Sequence, residues 1–194
     1  GNASQINDGA AAVVIMGSDV ADAMGLQPIA SVRHWAVAGV DPDIMGIGPA
    51  VAVPKLLEKT GLTLDDIDLV EINEAFAAMP LVSSKILADE YYGGDADKLA
   101  ALREKLNVNG GAVALGHPVG ASGARILMTL AYELRRRGGG YGACGICGGL
   151  AQADAAIAQI EAALSNSVVV VPFPGIVTIR HREPGETVSP GVPV

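Results

Sequence analysis

The sequence predicts an α/β domain, a mostly parallel mixed sheet with helices on both faces. Short apolar runs alternate with amphipathic segments as far as about residue 160, the order that builds strands covered by helices. Half the residues are apolar, yet aromatics make up only 4%, so the packing is aliphatic. A glycine-dense stretch, Asn107 to Arg125, runs straight into a helical pattern. Its glycines at 110, 111, 116, 120 and 123 let backbone approach backbone, or a ligand, where a Cβ would clash.

Taken in order, Asp8-Gly9 is a turn, and Ala10–Met16 is a continuous apolar run expected to form a buried strand. Ser18 opens a short helix to Met24, stopped by Gly25. Pro28–Ala38 alternates as a strand, and Asp41–Pro49 is loop. Pro49 stands near the first turn of a helix to about Thr60, where its missing N–H costs nothing, and Gly61 stops that helix. Thr63–Asp66 is a polar turn before a strand at Ile67–Ile72. Asn73–Ala77 leads into a long helix to about Glu90, with Pro80 tolerable in its first turns. A glycine-bearing loop, an amphipathic helix at Ala96–Leu106 and a helix from about Ala121 to Arg137 follow. Gly138-Gly139-Gly140 ends the last of these, and Tyr141–Cys147 is strand-like. Gln152–Ile160 has a helical composition in the place where a return strand would complete the sheet. The domain therefore spans 1–162, and 163–194 is a linker with a short β-rich or disordered tail rich in Pro-Gly and Gly-Glu turns.

Composition excludes some functions. A net charge of -8 without a basic stripe argues against nucleic acid as a partner. Arg135-Arg136-Arg137 is the one dense basic run, and it falls at a helix end, where a solvated last turn accounts for it. No apolar run has the length that crosses a bilayer, so no membrane partner is expected. The chain opens on Gly1 rather than Met, which leaves targeting unreadable; the cytoplasm is the expected compartment. Cys144 and Cys147 form a Cys-Gly-Ile-Cys quartet without two further ligands, so no metal is expected.

Three residues stand out for chemistry. Asn73, His117 and Cys147 all fall at or just beyond predicted strand ends, where α/β sheets gather their ligands. A neutral imidazole beside a thiol can take its proton, and a ring N–H can donate to a developing oxyanion. A side-chain amide can hold water or donate directly, and the N–H groups around Gly148 and Gly149 offer a second donor set. Each also has a structural meaning: a hydrogen-bonded corner histidine, a small buried thiol, a helix cap, a glycine turn.

Residues 1 to about 157 resemble the C-terminal half of the thiolases, the acetyl-CoA acetyltransferase and 3-ketoacyl-CoA thiolase family. The resemblance rests on six motifs in order. Gly1-Asn2-Ala3-Ser4 with Ile6-Asn7-Asp8-Gly9 comes first, then Met45-Gly46-Ile47-Gly48-Pro49 and Asn73-Glu74-Ala75-Phe76-Ala77. Asn107–Gly111, Gly116–Gly123 and Cys147-Gly148-Gly149 complete the series. The resemblance implies a fold of two similar α/β halves, of which this is the second. It implies that His117 activates a nucleophilic cysteine and helps form one oxyanion hole, where Asn73 positions a water. It assigns Cys147 the acid/base role and the Gly149 N–H a place in the other oxyanion hole. Ser4 would lie near the pantetheine arm of coenzyme A, with Met45 and Phe76 lining the pocket. Coenzyme A and acyl-CoA enter as substrates, with no permanently bound cofactor.

The nucleophilic cysteine of the family lies in its N-terminal half, and neither cysteine here matches it. The expected partner is therefore an N-terminal half carrying that cysteine, in a homo-oligomer, dimer or tetramer. The expected function is acyl transfer between 3-ketoacyl-CoA or acetyl-CoA and coenzyme A, with this chain inactive alone. The rival is a non-catalytic coenzyme A-binding or assembly module on the same scaffold. Gln5 stands where the family usually has glycine, and the tail weakly resembles the opening of a biotinyl- or lipoyl-type domain.

Overall fold

The computed structural model describes residues 2–148 and 152–160. Helix α1 (Ser18–Ala23), strand β1 (Ser31–Gly39) and helix α2 (Gly48–Thr60) come first. Strand β2 (Leu69–Ile72) and helices α3 (Ala78–Tyr92), α4 (Ala96–Glu104), α5 (Ala112–Leu115) and α6 (Ser122–Arg136) follow. Strands β3 (Gly140–Gly148) and β4 (Gln152–Ile160) close the described chain. Local chemistry sets the punctuation. Gly61 and Gly93 end α2 and α3 in the left-handed conformation that a side chain would resist. Asp95 caps α4 by accepting from the N–H groups of Asp97 and Lys98.

The sheet is mixed, in the order β1-β4-β3-β2. β2 and β3 run parallel with Ile72 opposite Gly145, whereas β3–β4 and β4–β1 are antiparallel. The α/β class and the helices on both faces agree with the sequence; the parallel share is one pairing of three. Gln152–Ile160 accounts for that: its alanine-rich composition is overridden because it pairs on both sides, with β1 and with β3.

Strand alternation sorts the core into two clusters. Val70 and Ile72 of β2 face α2 with its buried Val53, Leu56 and Leu57, joined by Ala36, Ala38 and Ile157. Leu69 and Cys144 point the other way, against Ile126, Leu130 and Leu134 of α6. At the far end of α6, Arg136 and Arg137 are not simply solvated, as their sequence position implied. Both bond the buried Glu133 carboxylate, which they hold down at about 2.

The largest departure from the sequence reading is Ala10–Met16. It forms no strand, and Val14 and Ile15 are exposed. A continuous apolar run is a strand only where neighbours pair it and both faces are covered, and no described strand pairs with it. On β1, Trp35 and Val37 are likewise exposed, on the face opposite Ala36 and Ala38. Apolar surface of this extent calls for a partner. The isolated chain is expected to self-associate in solution, and a monodisperse monomer by light scattering would contradict this. The sequence-defined tail, 163–194, lies outside the described residues.

Candidate active site

Parallel pairing places the ends of β2 and β3 at one edge of the sheet, and the site is built there. Asn73 extends β2 by one residue, its N–H donating to Gly145 O at 3.0 Å. Asn107 closes the open side of the strand. Held at φ 48°, it turns its amide to Ile72 as a neighbouring peptide would: Oδ1 accepts from Ile72 N at 2.8 Å and Nδ2 donates to Ile72 O at 2.9 Å. The same Nδ2 donates to Glu74 Oε1, and Glu74 Oε2 accepts from Val113 N. A Cβ on Gly111 would run into that carboxylate, which is why the loop carries glycine at this place.

His117 stands on the loop between α5 and α6. The N-terminal stretch ties it to the Asn73 segment: His117 N donates to Gln5 O at 3.1 Å, and Ser4 N donates to Ala75 O at 3.0 Å. Gly116, buried with φ 93° and packed against the Asn7 side chain, makes the corner that presents the ring.

The ring is fixed from both sides. Ser122 Oγ donates its single hydrogen to Pro118 O at 3.0 Å, so toward His117 Nδ1, 2.6 Å away, it can only accept. The proton therefore sits on Nδ1, and Nε2 is bare. Asn73 Nδ2 donates to that nitrogen at 3.3 Å. Burial, and then the charge of Arg125, push the imidazole below its ordinary value, so near neutrality it is an uncharged base. Ser122→Ala would leave Nδ1–H without its acceptor and free the tautomer. About tenfold in rate is the expected loss, the worth of one hydrogen bond. Ring 15N shifts showing mixed tautomers would accompany it, and an unchanged tautomer would refute the assignment.

Cys147 stands half-buried near the end of β3, on the side of Gly48 at the start of α2. Burial raises its thiol, so at rest it holds its proton, as an acid must. Cys144 is fully buried on β3, and burial pushes it up to about 12, which makes it inert. Met45 is half-buried in the 3-10 turn Pro42–Ile47, and Phe76 is exposed beside Ala3, with which it forms a bridge. Ser4 is half-buried on the stretch between the asparagine and the histidine. Gly149 lies outside the described residues. Thus direct contacts join Asn73, His117 and the Ser4 stretch, while Cys147 stands at the same end of the sheet but on its α2 face, opposite the α6 face toward which Asn73 turns. Among the described residues no group of three or more His, Cys, Asp or Glu could hold a metal ion.

Sequence reasoning passed over Ser122, Asn107, Glu74, Glu71 and Arg125. Ser122 and Asn107 lay within motifs already singled out, but their partners are set by folding. Glu71 carried a signal: it is the one charged residue of β2, Leu-Val-Glu-Ile.

Residues 26–160 match the family model described as thiolase, C-terminal domain. The chain is 52% identical over 159 residues to an acetyl-CoA acetyltransferase of Syntrophomonas wolfei, covering 82% of this chain and 38% of that one. It is 47% identical over 157 residues to a 3-ketoacyl-CoA thiolase of Marinobacter nauticus, again 38% of that protein. Among solved structures, the Bacillus anthracis acetyl-CoA acetyltransferase superposes with a TM-score of 0.71 at 47% identity, covering 81% of this chain and 37% of that one. Human mitochondrial 3-ketoacyl-CoA thiolase in complex with CoA gives 0.63 at 44%, covering 73% and 33%. The chain thus spans little more than a third of the length of these relatives.

Proposed function

Since this chain belongs to the thiolase family and carries its C-terminal domain, we propose that it supplies the acid/base half of an acyl-transfer site. The reaction is reversible thiolysis: 3-ketoacyl-CoA plus coenzyme A gives acetyl-CoA and an acyl-CoA shortened by two carbons. The names of its relatives, acetyl-CoA acetyltransferases and 3-ketoacyl-CoA thiolases, support this substrate class.

One observation carries the reading: an imidazole held between Ser122 Oγ, 2.6 Å from Nδ1, and a buried amide, 3.3 Å from Nε2. In this scheme Nε2 takes the proton of a cysteine thiol presented by the N-terminal half. The resulting thiolate attacks the substrate's keto carbon, and an acyl-cysteine forms as the carbon–carbon bond breaks. Cys147, protonated at rest, hands its proton to the departing α-carbon of acetyl-CoA. Coenzyme A then gives its thiol proton to the Cys147 thiolate and attacks the acyl group, and the cysteine released as thiolate takes its proton back from His117 Nε2. While negative charge rests on the carbonyl oxygen, His117 Nε2–H and a water held by Asn73 stabilise it, and the Gly149 N–H serves the acyl-transfer step. Ser4 lies near the pantetheine arm, and Met45 and Phe76 line the pocket. The assembled enzyme is a homo-oligomer in this reading, working in the cytoplasm. The described residues contain no helix long and apolar enough to cross a membrane.

The experiment compares the purified chain with the chain combined with a cysteine-bearing N-terminal half, using acetoacetyl-CoA and coenzyme A. The chain alone should show no thiolysis, and the combination should turn over. Turnover by the chain alone would overturn the division of labour. Tight coenzyme A binding without turnover in the combination would favour the non-catalytic module instead.

A further inference from the structure

Glu71 is a carboxyl side chain only 4% exposed in the strand that carries Asn73. Two residues apart on a ladder that continues through Asn73 N, the two side chains stand on the same face of the sheet. That face is the α6 side, since Glu71 is in register with Cys144, which packs against α6. Glu71, Asn73, Gly111, Arg125 and Thr129 together line a cavity of about 10 Å³, room for a single water. The Asn73 oxygen, Oδ1, is buried and without a hydrogen-bond partner, while its nitrogen is committed to His117. Arg125 reaches from this cavity toward the histidine corner and donates to Gly116 O at 2.6 Å.

An asparagine amide has two orientations that fill the same space and differ only in which atom faces which neighbour. Donation to the bare Nε2 requires Nδ2 on the His117 side, which turns Oδ1 toward a donor elsewhere. We infer that Glu71 is a positioning residue for the Asn73–His117 pair. As the neutral acid it donates across the shared cavity toward Asn73 Oδ1 and holds the amide nitrogen on the histidine. The ionised carboxylate offers acceptors only, competes with Nε2 for the Asn73 amide nitrogen, and no longer holds Oδ1 in place.

The surroundings keep the neutral acid populated well above the ordinary carboxylate range. Burial, then the neighbouring Glu74 carboxylate, raise Glu71 to about 7; Arg125 on α6 opposes them, and Glu133 on the same helix adds to them. Across the ladder it meets only Cys144, a thiol that stays protonated. The inference rests on His117 and Asn73 acting as a pair, so its test reads the two side chains and not turnover.

The experiment is a titration of the full chain, labelled with 15N, from pH 5 to 9, following the Asn73 side-chain amide and the His117 ring nitrogens. The expected result is an Asn73 transition with its midpoint near 7, separate from the ring's own transition below 6.5. In Glu71→Gln, whose amide donates at every pH, the Asn73 transition should vanish and the low-pH signal persist. Glu71→Leu should show the disturbed signal throughout. A merely space-filling role predicts no transition of Asn73 in the parent chain, so the parent titration decides even where a variant fails to fold. An Asn73 signal that follows only the His117 titration, or a transition near 7 that survives in Glu71→Gln, would overturn the inference.

Discussion

His117→Ala, in the chain combined with its cysteine-bearing half, is expected to lower kcat/KM by about two to four decades, the usual size for a general base and oxyanion donor. Alanine removes the bare Nε2 that receives the thiol proton and leaves both Ser122 Oγ and Asn73 Nδ2 without the ring. Chain folding should change little, because the ring is only half-buried and the corner is set by Gly116 and the Gln5 contact. The sign of the pH dependence follows from the same ring. Its pKa lies below 6.5, so the base is available at neutrality and the rate falls only as pH drops through that lowered value. Steady-state rates of acetoacetyl-CoA thiolysis check both statements. A variant within a factor of three of its parent would end the assignment.

Glu71→Gln is expected to stabilise the folded chain by as much as about 3 kcal/mol at pH 8 and by nothing at pH 4, read from urea unfolding. The span from the ordinary 4.5 to about 7 fixes the size, at 1.36 kcal/mol for each pKa unit. Between those values the folded chain keeps a proton that the unfolded chain has given up. Stability therefore falls as pH rises from 4.5 to 7 and stays at the lower level above. Glutamine fills the same space and never ionises, so it escapes that loss. His117 acts in the other direction: its lowered pKa costs stability as pH falls below 6.5. Equal stability of parent and Glu71→Gln at pH 8 would show that the carboxyl group is not desolvated in solution.

Much of this could be read along the chain. Gly25 and Gly61 adopt the positive φ expected of helix stops, Pro80 sits in the first turn of α3, and Asn73 falls beyond the end of β2, whereas His117, expected at a strand end, follows the short helix α5 instead. Each depends on residues within a turn or two of one another. Other readings failed or stayed open for a shared reason. Ala10–Met16 has the composition of a buried strand but no neighbour among the described residues, whereas alanine-rich Gln152–Ile160 gained two and became one. A strand is defined by its pairing, which periodicity does not contain.

The sequence by itself determined the rhythm of elements, the family and the identity of the residues at the sheet edge, because glycine, proline and alternation act locally. Only the tertiary structure decided that Asn73 meets His117 across 44 positions, that Ser122 holds the proton on Nδ1, and that Glu71 and Arg125 share a cavity behind the amide. A hydrogen bond needs two atoms within about 3 Å and a fixed proton between them, and that is a property of the folded chain rather than of spacing along it.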